Sequence, residues 1–333
     1  MNQHNQKRVI LNIQTWDHQM KKFLVVCVMT FICALCQSLA GAWPQEKGAL
    51  YAKTYLGSLT APRFWDMNGQ SISSMKEEIA PGSPLFKYYP EGRKYSMDFS
   101  AIIAGLYAEY GVTDKLTIIA DMPFGYFSLT ETYETDKDTS SNTYLQKPLR
   151  QEKSLSTFTY YGIGGRYLLY DKKSVVSVSA GLRIPPGGTN GIFADTVGMP
   201  FLSDGAFQNW FGLEIGLPFT DGWFETEIKY TGRHEELRDE VTFHAEYGNK
   251  SVEEIMLKFA IDITQGLGSR KEIPAFDTRR TILVENIGAI TIGVIVQASE
   301  TLFIEGSYQV RLFGENTWAL NGTFGGIGIK TTL

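Results

Sequence analysis

Long stretches in which apolar and polar residues alternate are the feature of this chain that most constrains its fold. Twelve such stretches follow residue 47, and no segment has the i, i+3, i+4, i+7 apolar spacing of an amphipathic helix. Most are 10 to 15 residues long, whereas soluble strands are typically about 5–6 residues and membrane-crossing strands need about 9–11. The predicted strands are 48–56, 94–110, 116–130, 156–170, 175–185, 207–218, 223–233, 240–247, 254–264, 281–297, 301–313 and 318–333.

The last predicted strand runs to the end of the chain. Ile327, Ile329 and Leu333 lie on one of its faces, and Lys330 lies on the other. A sheet that crosses a membrane must have no free edge, so its last strand must pair with its first. We therefore expect this strand to pair with residues 50–56 and to turn its isoleucines toward lipid.

The connections between the predicted strands alternate in length. The short turns lie near 111–115, 171–174, 219–222, 248–252 and 298–300. Longer segments lie between them, and the longest is 57–93. Its aromatic residues would either fold inward as a constriction or pack on the rim of the fold.

Strand length, connection length and strand number together favour one fold class. Soluble sandwiches also have one apolar and one polar face per strand. Short periplasmic turns and longer external loops, however, are typical of outer-membrane barrels, which have an even number of strands. The sequence therefore predicts an all-β fold: a single antiparallel transmembrane β-barrel of about twelve strands, with both termini in the periplasm.

The first 42 residues have the pattern of an export signal. Lys21-Lys22 precedes a short apolar run over 23–35, and Ala40-Gly41-Ala42 forms a small-residue cleavage site. The run is shorter than the roughly 20 residues of a spanning helix. We expect cleavage after Ala42 and a location in the outer membrane of a Gram-negative bacterium. Residues 1–42 would then be an upstream extension plus signal peptide, with Met20 as the natural start.

The composition of the mature barrel, residues 43–333, excludes several function classes. Cys27, Cys33 and Cys36 are the only cysteines, and all of them lie in the predicted signal peptide. The mature chain would therefore have no disulfide and no thiolate nucleophile. Without residues 1–42 the chain has 27 basic and 35 acidic residues, a net charge of −8, and such an acidic chain is a poor binder of nucleic acid.

The polar faces of the predicted strands would line the lumen, and they carry eight acidic and eight basic residues. A lumen of one charge sign would indicate a pore for ions of the opposite sign. A balanced lumen fits either a salt-bridged structural interior or a track for a small polar or amphiphilic molecule. Inward glycines such as Gly105, Gly164 and Gly216 would leave room there or mark bends in the sheet. The lumen-facing candidates are Lys53, Glu109, Asp121, Arg166, Arg183, Glu214, Glu225, Glu227, Lys229, Arg233, Lys258, Asp262, Glu285, Glu305, Arg311 and Lys330.

Groups for catalysis or metal binding are scarce. His234 and His244 are the only histidines after residue 42, and both fall near the fourth predicted external loop, residues 234–239. His234 with Asp239 would suit a hydrolase at the rim, a minor alternative, but a solvated charged loop explains the same residues. There is no G-x-S-x-G element, and two histidines are too few for a metal site. The sequence therefore predicts no enzyme, no cofactor and no metal.

Three short segments resemble a known family of outer-membrane barrels. They are Trp43-Pro44-Gln45-Glu46-Lys47-Gly48, Tyr107-Ala108-Glu109-Tyr110-Gly111-Val112-Thr113-Asp114-Lys115-Leu116-Thr117 and Gly181-Leu182-Arg183-Ile184-Pro185-Pro186-Gly187. These segments are similar to those of the XagA-like proteins and the phenol-degradation (MetA-pathway) transporters, and the resemblance spans most of the mature chain. It implies a barrel with a transport role, and it supplies no site residues.

The expected function is a passive channel or transporter for a small molecule, with hydrophobic or aromatic compounds as one class. The expected partners are outer-membrane lipid, the barrel-assembly machinery during biogenesis and the small-molecule cargo. The main alternative is a non-conducting structural or adhesive barrel that acts through its external loops. A ladder of Arg166, Arg183, Glu214, Glu227 and Arg311 across the interior would favour that alternative.

Overall fold

The structure is a computed structural model of the chain. It describes residues 42–61, 63–65, 69, 71–73, 77–78, 93–135, 149–186, 207–233, 238–252, 254–268, 286–315 and 317–332. No helix in these ranges is long and apolar enough to cross a membrane. The strands are β1 (Ala49–Ala61), β2 (Arg63–Trp65), β3 (Ser71–Ser73), β4 (Glu77–Glu78), β5 (Arg93–Thr113), β6 (Leu116–Thr135), β7 (Leu149–Phe158), β8 (Tyr161–Asp171), β9 (Val175–Ile184), β10 (Gln208–Phe219), β11 (Gly222–Arg233), β12 (Glu240–Val252), β13 (Ile255–Gly266), β14 (Asn286–Gln297), β15 (Leu302–Glu315), β16 (Thr317–Trp318) and β17 (Asn321–Thr332).

The long strands close into one antiparallel ring. Around the ring the order is β1, β5, β6, β8, β9, β10, β11, β12, β13, β14, β15 and β17, and β17 returns to β1. β7 pairs with β6 beyond the end of β8, so β7 and β8 together occupy one position. The ring therefore has the twelve positions that the sequence predicts. β4 adds a short pairing to β5, and β16, β2 and β3 form a separate small sheet.

Closure rests on the pairing of the last strand with the first. β17 runs antiparallel to β1 over twelve residue pairs, from Ala49 opposite Thr332 to Thr60 opposite Asn321. The side chain of Ile327 is about half exposed on the outside of the barrel. The pairing and the outward face of β17 confirm the expectation from the sequence, although Leu333 lies outside the described residues.

The outer and inner surfaces of the ring differ in character. Charged side chains at alternate positions point inward and are buried, among them Lys53, Glu109, Arg166, Lys258 and Glu305. The outer surface carries an apolar layer that would be a liability in water but is suited to lipid. Its exposed side chains include Ile102, Leu106, Ile118, Ile163, Leu169, Phe211, Leu213, Ile228, Leu257, Phe259, Ile292, Tyr308 and Leu312.

The two ends of the barrel are unlike each other. At one end, here called the turn end, short connections such as 114–115 and 220–221 join the strands. β1 begins at this end and β17 ends there. At the other end, the loop end, longer connections join the strands and the small β16–β2–β3 sheet is attached. The short and long connections thus fall on opposite ends, as predicted. That the turn end faces the periplasm remains a prediction.

The first strand is longer than the sequence analysis predicts. Residues 57–61, expected to begin the first loop, continue β1, because they pair with β5 on one side and mostly with β17 on the other. The loop prediction over 57–93 was therefore wrong for these five residues. Residues 81–90 and residues 281–285, the predicted start of the tenth strand, lie outside the described residues.

The fourth predicted strand is interrupted at Thr159 and Tyr160. Both the backbone N–H and the hydroxyl of Thr159 donate to the Pro123 carbonyl, at 2.9 and 3.3 Å. Pro123 has no N–H with which to continue a regular ladder. The extra residue that results forms a bulge, which turns a neighbouring side chain to a new direction. Here Tyr160 points into the barrel, where its hydroxyl donates to Asp121 at 2.6 Å.

Closure of the ring predicts a disulfide between the terminal strands. Thr54 and Ile327 are directly opposite each other on β1 and β17, and such pairs have Cα separations within the range of a disulfide. In a chain that begins at Trp43, which has no cysteine, T54C together with I327C should cross-link on refolding. The product would migrate faster than the reduced chain on a heated, non-reducing gel.

The control is T54C with I292C. Ile292 also faces outward, but it lies on β14, which is not next to β1. This pair should not cross-link within one chain. Equal cross-linking of both pairs, or none in either, would contradict the closed ring.

Candidate functional site

A cavity of about 500 Å³ lies inside the barrel. One part of its wall is formed by aromatic side chains that come from β1, β5, β10, β17 and the β7–β8 bulge. The rest is largely charged. The aromatic residues are Tyr55, Tyr107, Tyr160, Trp210 and Phe324, and the charged or titratable residues are Lys53, Asp121, Arg166, Arg183, Glu214, Glu225, Glu227, Lys229, His244 and Asp262.

Inward glycines make room for these aromatic rings. A Cβ atom added at Gly105 would overlap the ring of Tyr55. Cβ atoms added at Gly164 or Gly181 would overlap the indole of Trp210. The rings therefore lie flat over glycine backbone instead of projecting across the lumen. The sequence analysis leaves two roles open for inward glycines, which are to leave room in the lumen or to mark bends in the sheet. The structure shows that Gly105, Gly164 and Gly181 leave room.

Arg166 joins carboxylates from two other strands. Its Nη1 is 2.9 Å from Glu109 Oε1, and its Nε is 2.6 Å from Glu214 Oε2. All three side chains are almost completely buried. The Tyr107 hydroxyl also donates to Glu109, at 2.6 Å. Buried charges with this degree of pairing hold the strands of a narrow barrel in register.

Two more buried ion pairs lie along the same inner surface. Lys53 Nζ is 3.1 Å from Glu305 Oε2, and Lys258 Nζ is 3.0 Å from Glu246 Oε2. The Tyr51 hydroxyl donates to Glu305 at 3.3 Å. Lys53 also lines the cavity, whereas Lys258, Glu246 and Glu305 are buried in the inner wall.

Other charged groups face the cavity and stay partly open to it. Lys229 Nζ is 2.9 Å from Glu227 Oε2, and both side chains are about one-fifth exposed. The guanidinium of Arg183 lies 4.9 Å from the ring centre of Tyr160. Asp121 accepts hydrogen bonds from the hydroxyls of Tyr160 and Tyr55, at 2.6 and 3.3 Å. The exposed groups can form polar contacts to a solute beside the aromatic wall.

Residues 42–47, at the start of the described chain, enter the barrel from the turn end. The backbone N–H of Gln45 donates to Thr117 Oγ1 at 2.8 Å, and its side-chain amide donates to Glu109 Oε2 at 2.7 Å. The backbone N–H of Lys47 donates to Asp114 at 3.2 Å. Gln45 thus ties the segment to the same carboxylate that Arg166 binds.

The first two residues of this segment reach the cavity. The Ser177 hydroxyl donates to the carbonyl of Ala42 at 2.6 Å, and Ala42 lines the cavity. The ring of Trp43 packs over Gly216, where a Cβ atom would be 2.8 Å from the indole. The segment therefore narrows the lumen on the turn-end side of the cavity.

An apolar cluster narrows the barrel interior toward the loop end. Its buried members include Leu59, Phe99, Phe127 and Leu320, and Tyr55 and Phe324 pack against it. Since Tyr55 and Phe324 also line the cavity, the aromatic wall of the cavity continues into this cluster. The cavity thus lies between a peptide segment on one side and an apolar cluster on the other.

The sixteen lumen-facing candidates occupy several different places. Nine line the cavity: Lys53, Asp121, Arg166, Arg183, Glu214, Glu225, Glu227, Lys229 and Asp262. Glu109, Lys258 and Glu305 are buried in the inner wall. Arg233 and Arg311 lie near the loop end, where Arg233 pairs with Glu240 at 3.0 Å and Arg311 donates to Thr317 at 3.2 Å. Glu285 lies outside the described residues.

Lys330 is not enclosed in the lumen. It shares the inward side of β17 with the buried Gly328, but it is exposed because it lies at the turn end, three residues from the chain terminus. His244 lies in the predicted strand 240–247, but its side chain was not expected to face the lumen. His244 lies within β12, and its side chain lines the cavity. His234 lies outside the described residues.

Sequence reasoning missed Glu246, His244 and Trp210 as inward residues. Strand 240–247 was the least regular of the twelve, so its two faces were not separated. The register supplies the missing information, because it places His244 opposite Glu227 and Glu246 opposite Glu225. Trp210 could have been found from the alternation, since it precedes Gly212 and Glu214 on the same face of β10.

No protein-family model and no curated protein matches the sequence. The fold is similar to that of the COG4313 outer membrane channel from Pseudomonas putida F1, with a TM-score of 0.58 and 11% identity over 90% of this chain and 100% of that one. The chain has the fold of an outer-membrane β-barrel.

Two other solved structures align over most of their length at lower TM-scores. The Pseudomonas putida toluene transporter TodX gives 0.40 at 9% identity, over 90% of this chain and 94% of that one. The transport unit of the autotransporter AIDA-I from Escherichia coli gives 0.42 at 11% identity, over 92% of this chain and 97% of that one.

The burial of the Arg166 cluster predicts a large loss of stability when its cation is removed. R166M would leave Glu109 and Glu214 as buried carboxylates without their partner, which typically costs about 3–5 kcal/mol. K229M removes the partner of Glu227 in a more solvated pair and should cost less than about 1 kcal/mol. Guanidinium unfolding of the refolded proteins in lipid vesicles, followed by tryptophan fluorescence, measures both. Similar small losses in the two variants would show that Arg166 is not a structural tie.

Proposed function

We propose that this protein is a passive outer-membrane channel for small aromatic molecules that carry a polar group. The observation that carries the proposal is the cavity, in which one wall of aromatic rings faces a set of partly solvated charged groups. Aromatic rings bind other rings with about 0.5–1.5 kcal/mol beyond the burial of area. The polar groups opposite would hold a hydroxyl or charged substituent.

The position and size of the cavity support the same function. It lies inside a closed barrel, and about 500 Å³ is within the range of small-ligand sites. The ladder of five charged residues considered in the sequence analysis does not form across the lumen, so this space stays open. Arg166 and Glu214 pair in the wall, while Arg183 and Glu227 line the cavity and Arg311 binds Thr317 near the loop end.

A non-conducting barrel is the second candidate, and a specific observation favours it. Residues 43–47, the first of the predicted mature chain, lie in the turn end, where Gln45 donates hydrogen bonds to Thr117 and Glu109. If this segment never moves, solute could enter the cavity but not pass through. In our proposal the segment is displaced during passage, which requires only a few hydrogen bonds to break.

We do not propose an enzymatic function. The rim hydrolase required His234 beside acidic residues, and His234 lies outside the described residues. His244 is in the lumen wall with Asp262 and Glu225 as its neighbours. In the described part of the chain, no serine, threonine or tyrosine hydroxyl is hydrogen-bonded to its imidazole. Membrane lipid and the assembly machinery are the partners that we propose from the barrel fold alone.

Solute flux into proteoliposomes tests the proposal. Benzenesulfonate and methanesulfonate are both permanently charged, so neither crosses lipid readily, and they differ mainly in the ring. Vesicles containing the refolded barrel should swell about two- to ten-fold faster in benzenesulfonate, as one aromatic contact would predict. No swelling with either solute would support the non-conducting barrel. Equal swelling with both would contradict selection for rings.

A glycine substitution tests whether residues 43–47 limit passage. A Cβ atom at Gly111 would overlap the backbone carbonyl of Glu46, so G111A should displace the segment and increase the swelling rate. The control is G165A, where the nearest atom to a new Cβ is at 3.5 Å, an ordinary contact. G165A should behave as the wild type. An unchanged rate in G111A would show that the segment is not the barrier.

A further inference from the structure

A group of titratable side chains on β11, β12 and β13 has no role in the proposed passage of aromatic solutes. Glu225 and Glu246 lie directly opposite each other on β11 and β12, and His244 lies opposite Asp262 on β13. All four side chains point into the barrel. Glu225, His244 and Asp262 line the cavity, and Glu246 is buried beside them with 1% of its surface exposed.

Three of these residues bring possible metal ligands together. One ligand atom each from Glu225, His244 and Glu246 lie within 4.8 Å of one another. His244 Nε2 is 3.7 Å from Glu225 Oε1, which is too long for a hydrogen bond. Small side-chain rotations would bring all three atoms to the 2.0–2.2 Å at which Zn²⁺ binds nitrogen and oxygen ligands.

Asp262 fixes the orientation of the imidazole. His244 Nδ1 lies 2.7 Å from Asp262 Oδ1, so in the neutral ring the proton resides on Nδ1 and Nε2 carries the lone pair. Nε2 is buried and has no hydrogen-bond partner among the described residues. A carboxylate that holds the far nitrogen of a histidine while the near nitrogen is free is the usual arrangement behind a metal-binding histidine.

The charges of the group also fit a divalent cation. Glu225 and Glu246 are like charges on directly opposite residues, an arrangement that destabilises a strand pair. Lys258 lies 3.0 Å from Glu246 and balances one negative charge. With Asp262 included and His244 neutral, a net charge of −2 remains. A bound M²⁺ ion would neutralise it and would give Nε2 its missing partner.

We infer that Glu225, His244 and Glu246 form a binding site for a divalent transition-metal ion, for which Zn²⁺ is the natural probe, and that Asp262 positions His244. One imidazole and two carboxylates favour such an ion over Mg²⁺ or Ca²⁺, which prefer sites made of oxygen ligands alone. The remaining coordination position would face the cavity, where water or an oxygen atom of a solute can occupy it. The site does not depend on whether the barrel conducts.

Zinc titration of the full chain tests this inference. The protein is expressed with its own leader, extracted from membranes in detergent with a tag that contains no histidine, and stripped with a chelator. Isothermal titration with ZnCl₂ should show about one ion bound per chain. H244Q and E225Q should each weaken binding by at least about ten-fold, and D262N by about 10–100-fold, the usual effect of losing a histidine-orienting carboxylate.

Two control variants separate this site from other groups. E227Q changes the next inward residue of β11, which lies opposite His244 in the register but forms its ion pair with Lys229. H234Q removes the other histidine after residue 42. Both should bind zinc as the wild type does. Heat-dependent gel mobility shows which variants have folded, and if H244Q does not fold, D262N and E225Q still decide the question.

The absorption spectrum of the Co²⁺ form gives a second readout. Cobalt in a site with one nitrogen and two oxygen ligands should give d–d bands in the wild type and E227Q, and these bands should weaken in H244Q and D262N. Absence of zinc binding in the wild type would overturn the inference and would leave a protonated His244 bridging two carboxylates. Equal zinc affinity in the wild type, E225Q and D262N would overturn it as well.

Discussion

The pairing of β17 with β1 is the interaction on which the rest of this structure depends. Within lipid a backbone N–H or C=O has no water to bond, so a sheet can cross only if both of its edges are joined. Twelve residue pairs between the first and last strands supply that junction. Once the ring is closed, alternate side chains of each strand face either the lumen or the lipid. A register shift of one residue would turn the lumen-facing side chains to the lipid and the lipid-facing ones to the lumen.

Closure creates a difficulty inside the barrel, because many inward side chains are charged. The structure resolves it in two ways. Some charges pair completely in the wall, as Arg166 does with Glu109 and Glu214. Others, such as Glu227 and Lys229, keep part of their surface open to the cavity. The paired groups hold the ring together, and the open groups are the ones that remain available to a solute.

Space for the cavity comes from the combination of large and small residues on the inner surface. Tyr55 and Trp210 would fill a lumen of this width if they projected toward its axis. Because Gly105, Gly164 and Gly181 lie beneath their rings, they form a flat wall instead. The same principle places Trp43 over Gly216, where the effect is opposite: the N-terminal segment takes up the space at the turn end.

Much of the fold could be predicted because period-two alternation is a local property that reports the two environments directly. The existence of the strands, the closure by residues 321–332 and the alternation of turns and loops follow from it. The bulge at Thr159 does not follow, since it depends on the missing N–H of Pro123 in a neighbouring strand.

The candidate site was less predictable than the fold. Alternation assigns a charge such as Glu225 to the inner face, but it does not identify the partner on the neighbouring strand. His244 and Glu246 lie on the least regular strand, and their proximity to Glu225 and Asp262 is set by register between strands. The entry of Gln45 into the turn end depends on hydrogen bonds to Thr117 and Glu109, which are distant in the sequence.

The accessibility of neighbouring positions on β11 tests the central claim, which is that a closed barrel separates a wet cavity from lipid. Glu227 lines the cavity, and Ile228, the next residue, is exposed on the outer face. In lipid vesicles, E227C should react with a charged, water-soluble thiol reagent and I228C should react only with a lipid-soluble maleimide. Reaction of both variants with the water-soluble reagent, or of neither, would contradict the account.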